Sequence, residues 1–298
     1  MKQFIQLTKA KIVLDQPLSE YCTYGIGGKS KYYCKISDVS ELSECIQFAL
    51  IEKIPYRVIG NGSNVIFDDK GYNGLIINLS GLDGIKAKKG TYICGAGVKI
   101  SDLITHLKQC GFLGLEKLYG IPATLGGALC MNAGCLGQSI ADRVQKVKCL
   151  YKNELITLDR KDCNFGYRES TFSSGEYIIL SCEFDFQNSD KNAFESGLQL
   201  AKEYRAKQPK GKSCGCVFKN PKGLSAGKLI EECDLKGYRI GGAFISDVHA
   251  NYIINDKNAT FEDVKNLIKT CKEQVKKRFN VDLHTELKYI GNYYGFNE

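Results

Sequence analysis

The spacing of apolar and polar positions predicts most of the elements of this chain. Ser30–Ile36 predicts a strand, and Asp38–Lys53 carries Leu42, Cys45, Ile46, Ala49 and Leu50 at helical spacing. Pro55–Ile59, Val65–Phe67 and Leu75–Leu79 follow as short strands. This β-α-β order predicts a small α/β unit that binds its ligand in a loop at a strand's carboxyl end. Tyr92–Ala96 predicts another strand, then a helix capped by Ser101 and carrying Leu103, Ile104 and Leu107. Val144–Tyr151 and Leu155–Leu158 predict a hairpin over Lys152–Glu154, and Tyr177–Phe186 a long strand. Asn192–Lys207 reads as a helix with Phe194, Leu198, Ala201 and Tyr204 on one side, stopped by Pro209. There the composition turns polar and glycine-rich, which marks a domain boundary near this helix. Beyond it, Ser225 caps a helix through Asp234, and Ala243–Ser246 and Tyr252–Asn255 read as short strands. Phe261–Phe279 holds Val264, Leu267, Ile268, Cys271, Val275 and Phe279 on one helical face, and Asp282–Ile290 closes as a strand.

Two stretches break this pattern. Gly120–Gly137 is rich in glycine and alanine, carries no charge and offers neither a broad apolar stripe nor a charged face. Small residues of this kind allow either close packing of backbone on backbone, or an anionic cofactor lying along a glycine turn and the start of a helix. Gly60-Asn61-Gly62-Ser63-Asn64 follows a strand and reads either as a pyrophosphate cradle or as a plain hairpin or Asx turn. No lysine follows it as a P-loop requires.

Composition narrows the class. A chain of 298 residues with 43% hydrophobic and 25% charged positions is an ordinary soluble globular protein, long enough for two or three domains. Its net charge of +8 is spread along the chain, which favours an anionic small molecule over nucleic acid. The 14 cysteines stand mostly at apolar positions, such as Cys34, Cys45, Cys149, Cys182 and Cys271, where a thiol behaves as a small hydrophobe. Met1–Leu14 carries Lys2, Lys9 and Lys11 without a continuous apolar core, so no secretory leader is read and a cytoplasmic, thiol-reduced protein is expected.

Other candidate motifs are weaker. Tyr24-Gly-Ile-Gly-Gly28 has the wrong spacing for a dinucleotide fingerprint, and His106 reads as structural or exposed. Arg168, in Phe165-Gly-Tyr-Arg-Glu-Ser170, either grips a carboxylate or phosphate or forms a surface pair with Glu169. Cys214, Cys216 and His249 fall short of a zinc set, so no metal is expected. No Gly-x-Ser-x-Gly elbow supports a hydrolase.

In their order, however, Gly60–Asn64, Gly120–Gly137, Phe165–Ser170, Cys216–Pro221, Ser225–Glu231, Ser246–Asn251 and Glu286–Gly291 resemble the motifs of the UDP-N-acetylenolpyruvoylglucosamine reductase (MurB) family. The resemblance runs from about Thr23 to Gly291, and the short Lys207–Val217 link matches the family's shorter type, without the extra tyrosine loop. It implies an α+β fold: a two-part FAD-binding region of the vanillyl-alcohol-oxidase (PCMH) type, residues 1–80 and 81–190, plus a C-terminal α/β substrate-binding domain, residues 191–298. It further implies noncovalent FAD, NADPH as co-substrate, a UDP-sugar substrate, no membrane insertion and a monomer. The flavin would pass hydride from NADPH to the enolpyruvyl group, giving UDP-N-acetylmuramate for peptidoglycan.

The resemblance also assigns residues. Gly60, Asn61, Gly62, Ser63, Asn64, Gly120, Ile121, Pro122, Thr124, Gly126, Gly127, Ala133 and Gly134 match cofactor-binding positions. Tyr167, Lys207 and Asn220 match substrate-binding positions. Arg168 matches the catalytic arginine that polarises the enolpyruvyl carboxylate, and Glu286 the glutamate that helps stabilise the enol-like intermediate. Cys216 stands where the family's proton donor is usually Ser, Ala123 where Gly is usual, and His284 where an acidic residue is usual. An FAD-linked oxidase and a flavin- or nucleotide-binding protein without turnover are the alternative readings; retention of Arg168 and Glu286 speaks against the second.

Overall fold

The computed structural model describes residues 3–88, 91–188 and 191–292. One five-stranded antiparallel sheet runs in the order Glu154–Asp159, Val144–Tyr151, Tyr177–Phe184, Thr91–Gly95, Ile85–Lys88. Its expected hairpin turns on Lys152 and Asn153, whose positive φ values of 47° and 65° match the right-handed twist of the strands they join. Cys182 pairs with Cys94 on one side and Val147 on the other, and all three are fully buried. The thiols fill this sheet as apolar groups. A second five-stranded sheet has the order Phe4–Gln6, Lys11–Pro17, Lys29–Lys35, Tyr72–Asn78, Tyr56–Ile59.

Chain contacts divide the molecule into two units, Met1–Val13 with Tyr33–Asn61 and Ile76–Ala206, and Leu14–Tyr32 with Gly62–Leu75 and Lys207–Glu298. The first holds four helices: α1 (Val39–Ile51), α2 (Ile100–Cys110), α3 (Leu125–Cys130) and α4 (Lys191–Ala206). Asp38 caps α1 by accepting the Ser40 and Glu41 amides at 2.7 and 3.0 Å. Ser101 does not cap α2, contrary to expectation. The helix starts at Ile100, whose amide donates to the Ala123 carbonyl at 3.0 Å, while the Ser101 hydroxyl turns to Asp102. A main-chain acceptor from the Gly-rich run thus does the work of a side-chain cap. Phe194, Leu198 and Ala201 of α4 are buried, but Tyr204 is 39% exposed, with the Arg205 guanidinium 5.7 Å from its ring.

The second unit is built on α6 (Phe261–Phe279), preceded by α5 (Ala226–Glu232). Val264, Leu267, Ile268, Cys271 and Val275 bury one face of α6, and Thr260 and Asp263 close a reciprocal cap at its start. Arg239–Ile240, Ala243–Ile245 and Ile253–Asn255 form a three-stranded antiparallel meander. Of the strand expected over Asp282–Ile290, only Lys288–Ile290 is regular, pairing in parallel with Val65–Phe67. The preceding residues follow the chain at Phe218 instead, through a single bridge at Thr285. Likewise Tyr177–Phe184 ends two residues before the expected Phe186, and Phe4–Gln6 and Lys11–Pro17 are strands that the spacing did not announce.

Candidate active site

In the first unit, the Gly-rich run is folded against its neighbours by main-chain bonds. The Leu125 amide donates to Val98 at 2.7 Å and the Gly126 amide to Ala96 at 2.8 Å, so the first two amides of α3 are engaged by the 96–98 loop. Asn61 donates through Nδ2 to the Pro122 carbonyl at 2.8 Å. A Cβ on Gly60 would overlap the Thr124 hydroxyl, and one on Gly126 would lie 3.1 Å from that of Ala96. Gly120, at φ +79°, has the Arg205 side chain over it, and the Ile121 amide donates to Leu118 at 3.1 Å. At Gly60, Gly120 and Gly126 the chain's own neighbours leave little room for a side chain.

Gly127 is different. A Cβ at this exposed position would meet only the Thr124 hydroxyl, 3.7 Å away, and its φ is not in the left-handed region. Neither packing nor backbone conformation demands glycine, so a group approaching from outside the chain is the remaining physical reason for one. Further along, Asn132 donates to the Gly166 carbonyl at 2.8 Å, while its Oδ1 is buried and accepts nothing among the described residues. Buried acceptors are seldom left so. Ala133 and Gly134 follow, half-exposed, and Gly134 opens a small hairpin. An uncharged surface with a sterically open glycine and an unanswered acceptor fits FAD, which brings hydroxyl and imide donors. Asn132 was not singled out from sequence; its place inside the glycine run was the available signal.

Arg168 joins this surface. Its turn is closed by the Gly166 amide on the Glu169 carbonyl, and Arg168 itself sits at φ 57°, a left-handed conformation unusual without glycine. Its Nη2 donates to the Gly134 carbonyl at 3.1 Å, and its guanidinium lies 5.6 Å from the exposed Tyr167 ring. The Ser170 and Ser173 hydroxyls both donate to the Cys130 carbonyl, at 2.8 and 2.7 Å, tying this loop to the end of α3.

In the second unit, Gly62 is required by the fold: its φ is +64° and a Cβ would overlap the Tyr21 carbonyl. Ser63 and Asn64 follow, half-exposed. Asn64 Nδ2 donates to the Glu286 carbonyl at 2.9 Å, and the Glu286 amide donates to the Val217 carbonyl at 2.8 Å. Cys216 and Glu286, both half-buried, are thereby brought onto neighbouring extended segments. Cys214 lies beside the buried Tyr24; burial pushes its thiol up to about 12, with Cys216 and Glu286 adding to the rise. Asn220 is exposed and its Oδ1 accepts the Ala226 amide at the start of α5, at 3.0 Å. Lys207 is exposed and is not drawn into this group by any hydrogen bond or ion pair among the described residues.

A glycine surface fit for a flavin describes an FAD-binding protein, and a family described as "FAD binding domain" matches residues 30–157. A second family, "UDP-N-acetylenolpyruvoylglucosamine reductase, C-terminal domain", matches residues 207–290. The UDP-N-acetylenolpyruvoylglucosamine reductase of Protochlamydia amoebophila is 40% identical over 277 residues, 92% of either chain. That of Caldicellulosiruptor bescii is 38% identical over 298 residues, 98% of this chain and 95% of its own. The crystal structure of the Thermus caldophilus enzyme (MurB) superimposes with a TM-score of 0.81 at 33% identity, over 94% of this chain and 98% of that one. The chain belongs to the UDP-N-acetylenolpyruvoylglucosamine reductase family.

Proposed function

We infer that this protein uses NADPH to reduce the enolpyruvyl group of UDP-N-acetylglucosamine enolpyruvate to UDP-N-acetylmuramate, a step of peptidoglycan precursor synthesis. The observation that supports it best is the pairing of the Cys216 and Glu286 segments through the Glu286 amide and the Val217 carbonyl. Bound FAD would supply the hydride chemistry that links NADPH to the terminal enolpyruvyl carbon. Arg168 polarises the substrate carboxylate as negative charge develops on the adjacent carbon. Glu286 stabilises that enol-like species, and Cys216 gives its thiol proton to the carbon beside the carboxylate. The thiolate is reprotonated from solvent.

Gly60, Asn61, Gly62, Ser63, Asn64, Gly120, Ile121, Pro122, Thr124, Gly126, Gly127, Ala133 and Gly134 line the cofactor on this reading, in residues 1–80 and 81–190. Tyr167, Lys207 and Asn220 contact the sugar nucleotide, with residues 191–298 as the substrate-binding domain. The protein works as a cytoplasmic monomer; among the described residues no helix is long and apolar enough to cross a membrane.

Anaerobic stopped-flow of the yellow protein tests the reading. NADPH should bleach the flavin, and the enolpyruvyl sugar nucleotide should restore its colour. Reoxidation by oxygen but not by the sugar nucleotide would favour the oxidase. Acid precipitation should release the colour into the supernatant; colour kept in the pellet would mean covalent attachment.

A further inference from the structure

The segment carrying Cys216 is bordered on one side by the extended Glu286 segment and on the other by a single buried asparagine. Asn251 is 3% exposed, and its carboxamide meets both main-chain groups of one residue. Its Oδ1 accepts the Phe218 amide at 2.9 Å, and its Nδ2 donates to the Phe218 carbonyl at 2.9 Å. Its own carbonyl accepts the Val217 amide at 2.8 Å. On the opposite edge, the Glu286 amide donates to the Val217 carbonyl and the Lys219 amide to the His284 carbonyl, each at 2.8 Å. A side chain thus stands in for a β-strand neighbour, and residues 217–219 spend their main-chain groups alternately on Asn251 and on the Glu286 segment.

Asn251 is itself held. The Ser246 hydroxyl accepts the Val248 and His249 amides at 3.1 and 3.4 Å, and the Asn251 amide donates to His249 Nδ1 at 3.2 Å. Four residues on, Asn255 holds the other end of the stretch. Its amide donates to the Lys212 carbonyl at 2.9 Å and its Nδ2 to the Tyr24 carbonyl at 2.8 Å. The Cys214–Cys216 stretch is therefore fastened at both ends, while Gly215 between the two thiols sits at φ +82° with no atom near its missing Cβ.

We propose that Asn251 is a positioning residue for the reduction of substrate, setting the register of the Cys216 segment against the Glu286 segment. The proposal rests on the reading of Cys216 as proton donor. A carboxamide supplies a donor and an acceptor in one plane whatever the pH, where a carboxyl does so only when protonated, so the role is specific to the functional group rather than to its volume. Small displacements of a reacting group are costly in rate, about a hundredfold for 1 Å, which makes register a kinetic quantity.

The test uses the FAD-loaded protein and both half-reactions. Asn251→Leu, of similar volume, should slow flavin reoxidation by the enolpyruvyl sugar nucleotide by roughly ten- to a hundredfold and leave reduction by NADPH unchanged. Asn251→Asp carries a signature that packing alone does not. Ionised, it places a second acceptor against the Phe218 carbonyl; protonated, it restores one donor and one acceptor. Its reoxidation rate relative to wild type should therefore climb as the pH is lowered from about 8 to about 6, towards the raised range of a buried carboxyl. A relative rate that is flat with pH, or parallel losses in both half-reactions, overturns the proposal. Should Asn251→Leu fail to accumulate, Asn251→Asp decides. Cys216→Ala tests the underlying reading separately: wild-type reoxidation there sinks the donor assignment, whereas wild-type reoxidation in Asn251→Leu beside an impaired Cys216→Ala sinks only the register.

Discussion

The side chain of Asn64 is bonded to the main chain of Glu286, Nδ2 to carbonyl at 2.9 Å, across 222 positions of sequence. The Asn64 carbonyl also accepts the Lys288 amide at 3.1 Å, so one residue fixes where the Glu286–Lys288 stretch enters its parallel pairing with Val65–Phe67. Asn64→Leu leaves the Glu286 carbonyl without this donor, which costs about 1–2 kcal/mol. The melting temperature should fall by roughly 2–4 °C. Flavin reoxidation by substrate should slow more than flavin content falls. Loss of FAD with an unaltered substrate half-reaction would show that Asn64 serves the cofactor directly.

Gly60 and Gly127 separate two reasons for glycine. At Gly60 an added methyl overlaps Thr124, whereas at Gly127 it meets only that hydroxyl, at 3.7 Å. Gly60→Ala should therefore destabilise the apoprotein. Gly127→Ala, inside α3, should leave it as stable or more so, by up to about 1 kcal/mol, and yet bind FAD more weakly. Thermal melts of apoprotein beside flavin titrations check both. Gly127→Ala with full FAD affinity would remove this glycine from the cofactor surface.

The long elements were legible because each solved one local problem. Phe261–Phe279 has its apolar stripe, its Thr260 cap and its Asn280 stop within its own sequence. Lys152 and Asn153 announce a tight turn by their neighbours alone. What escaped was decided by partners distant in sequence. Lys99, not Ser101, precedes α2 because the Ala123 carbonyl takes the first amide. His284–Glu286 leaves the regular strand because the Cys216 segment runs beside it. At the candidate site the glycine runs and Arg168 stood out by their own composition and setting, each with a plainer alternative, whereas the donor role of Cys216 and the choice of Glu286 came from the resemblance of ordered motifs; spacing alone would have left Glu286 an unremarked polar residue. Asn132 and Asn251 lie within the Gly120–Gly137 and Ser246–Asn251 motifs, yet nothing local marks out either carboxamide. Their significance lies in which buried carbonyl or amide each carboxamide reaches.

Arg168 combines a functional side chain with an unfavourable backbone, φ 57°. Arg168→Gly relieves the backbone by about 1 kcal/mol while losing the bond to the Gly134 carbonyl, about the same amount. The melting temperature should barely move. On the proposed role of Arg168, reduction of substrate should fall about 10²–10³-fold, because a cation placed to face the developing carboxylate charge is removed. Flavin reduction by NADPH should persist. Equal loss in both halves would make Arg168 a support of the cofactor surface.

Alkali should weaken the protein through its buried thiols. Burial pushes Cys94, Cys163, Cys214 and Cys271 each up to about 12 and Cys149 up to about 11. An unfolded thiol ionises near 8.5, so above that pH the unfolded chain releases protons that the folded one retains. Stability is thus fully present below about pH 8.5 and is lost as pH rises towards 11–12. Reversible denaturant titrations in reductant at stepped pH should show this decline, and Cys94→Val should make it shallower. A stability that holds level from about pH 8.5 to about pH 11 contradicts it.

The two thiols flanking Gly215 should separate by function. Cys214, pushed up to about 12 beside the buried Tyr24, keeps its proton throughout the neutral range. Cys216 lies two residues nearer the Glu286 pairing, at the position where the family resemblance expects a donor. Serine there offers a hydroxyl of the same placement, so Cys216→Ser should keep substantial turnover, whereas Cys216→Ala should still be reduced by NADPH but be reoxidised at least about a hundredfold more slowly. Cys214→Ser should turn over within a few fold of wild type. The rate of Cys216→Ser should also lose any dependence on thiol-specific alkylation that the wild type shows, since the reactive sulfur is gone while Cys214 remains. Normal reoxidation in Cys216→Ala with loss in Cys214→Ala would move the donor two residues towards the amino terminus.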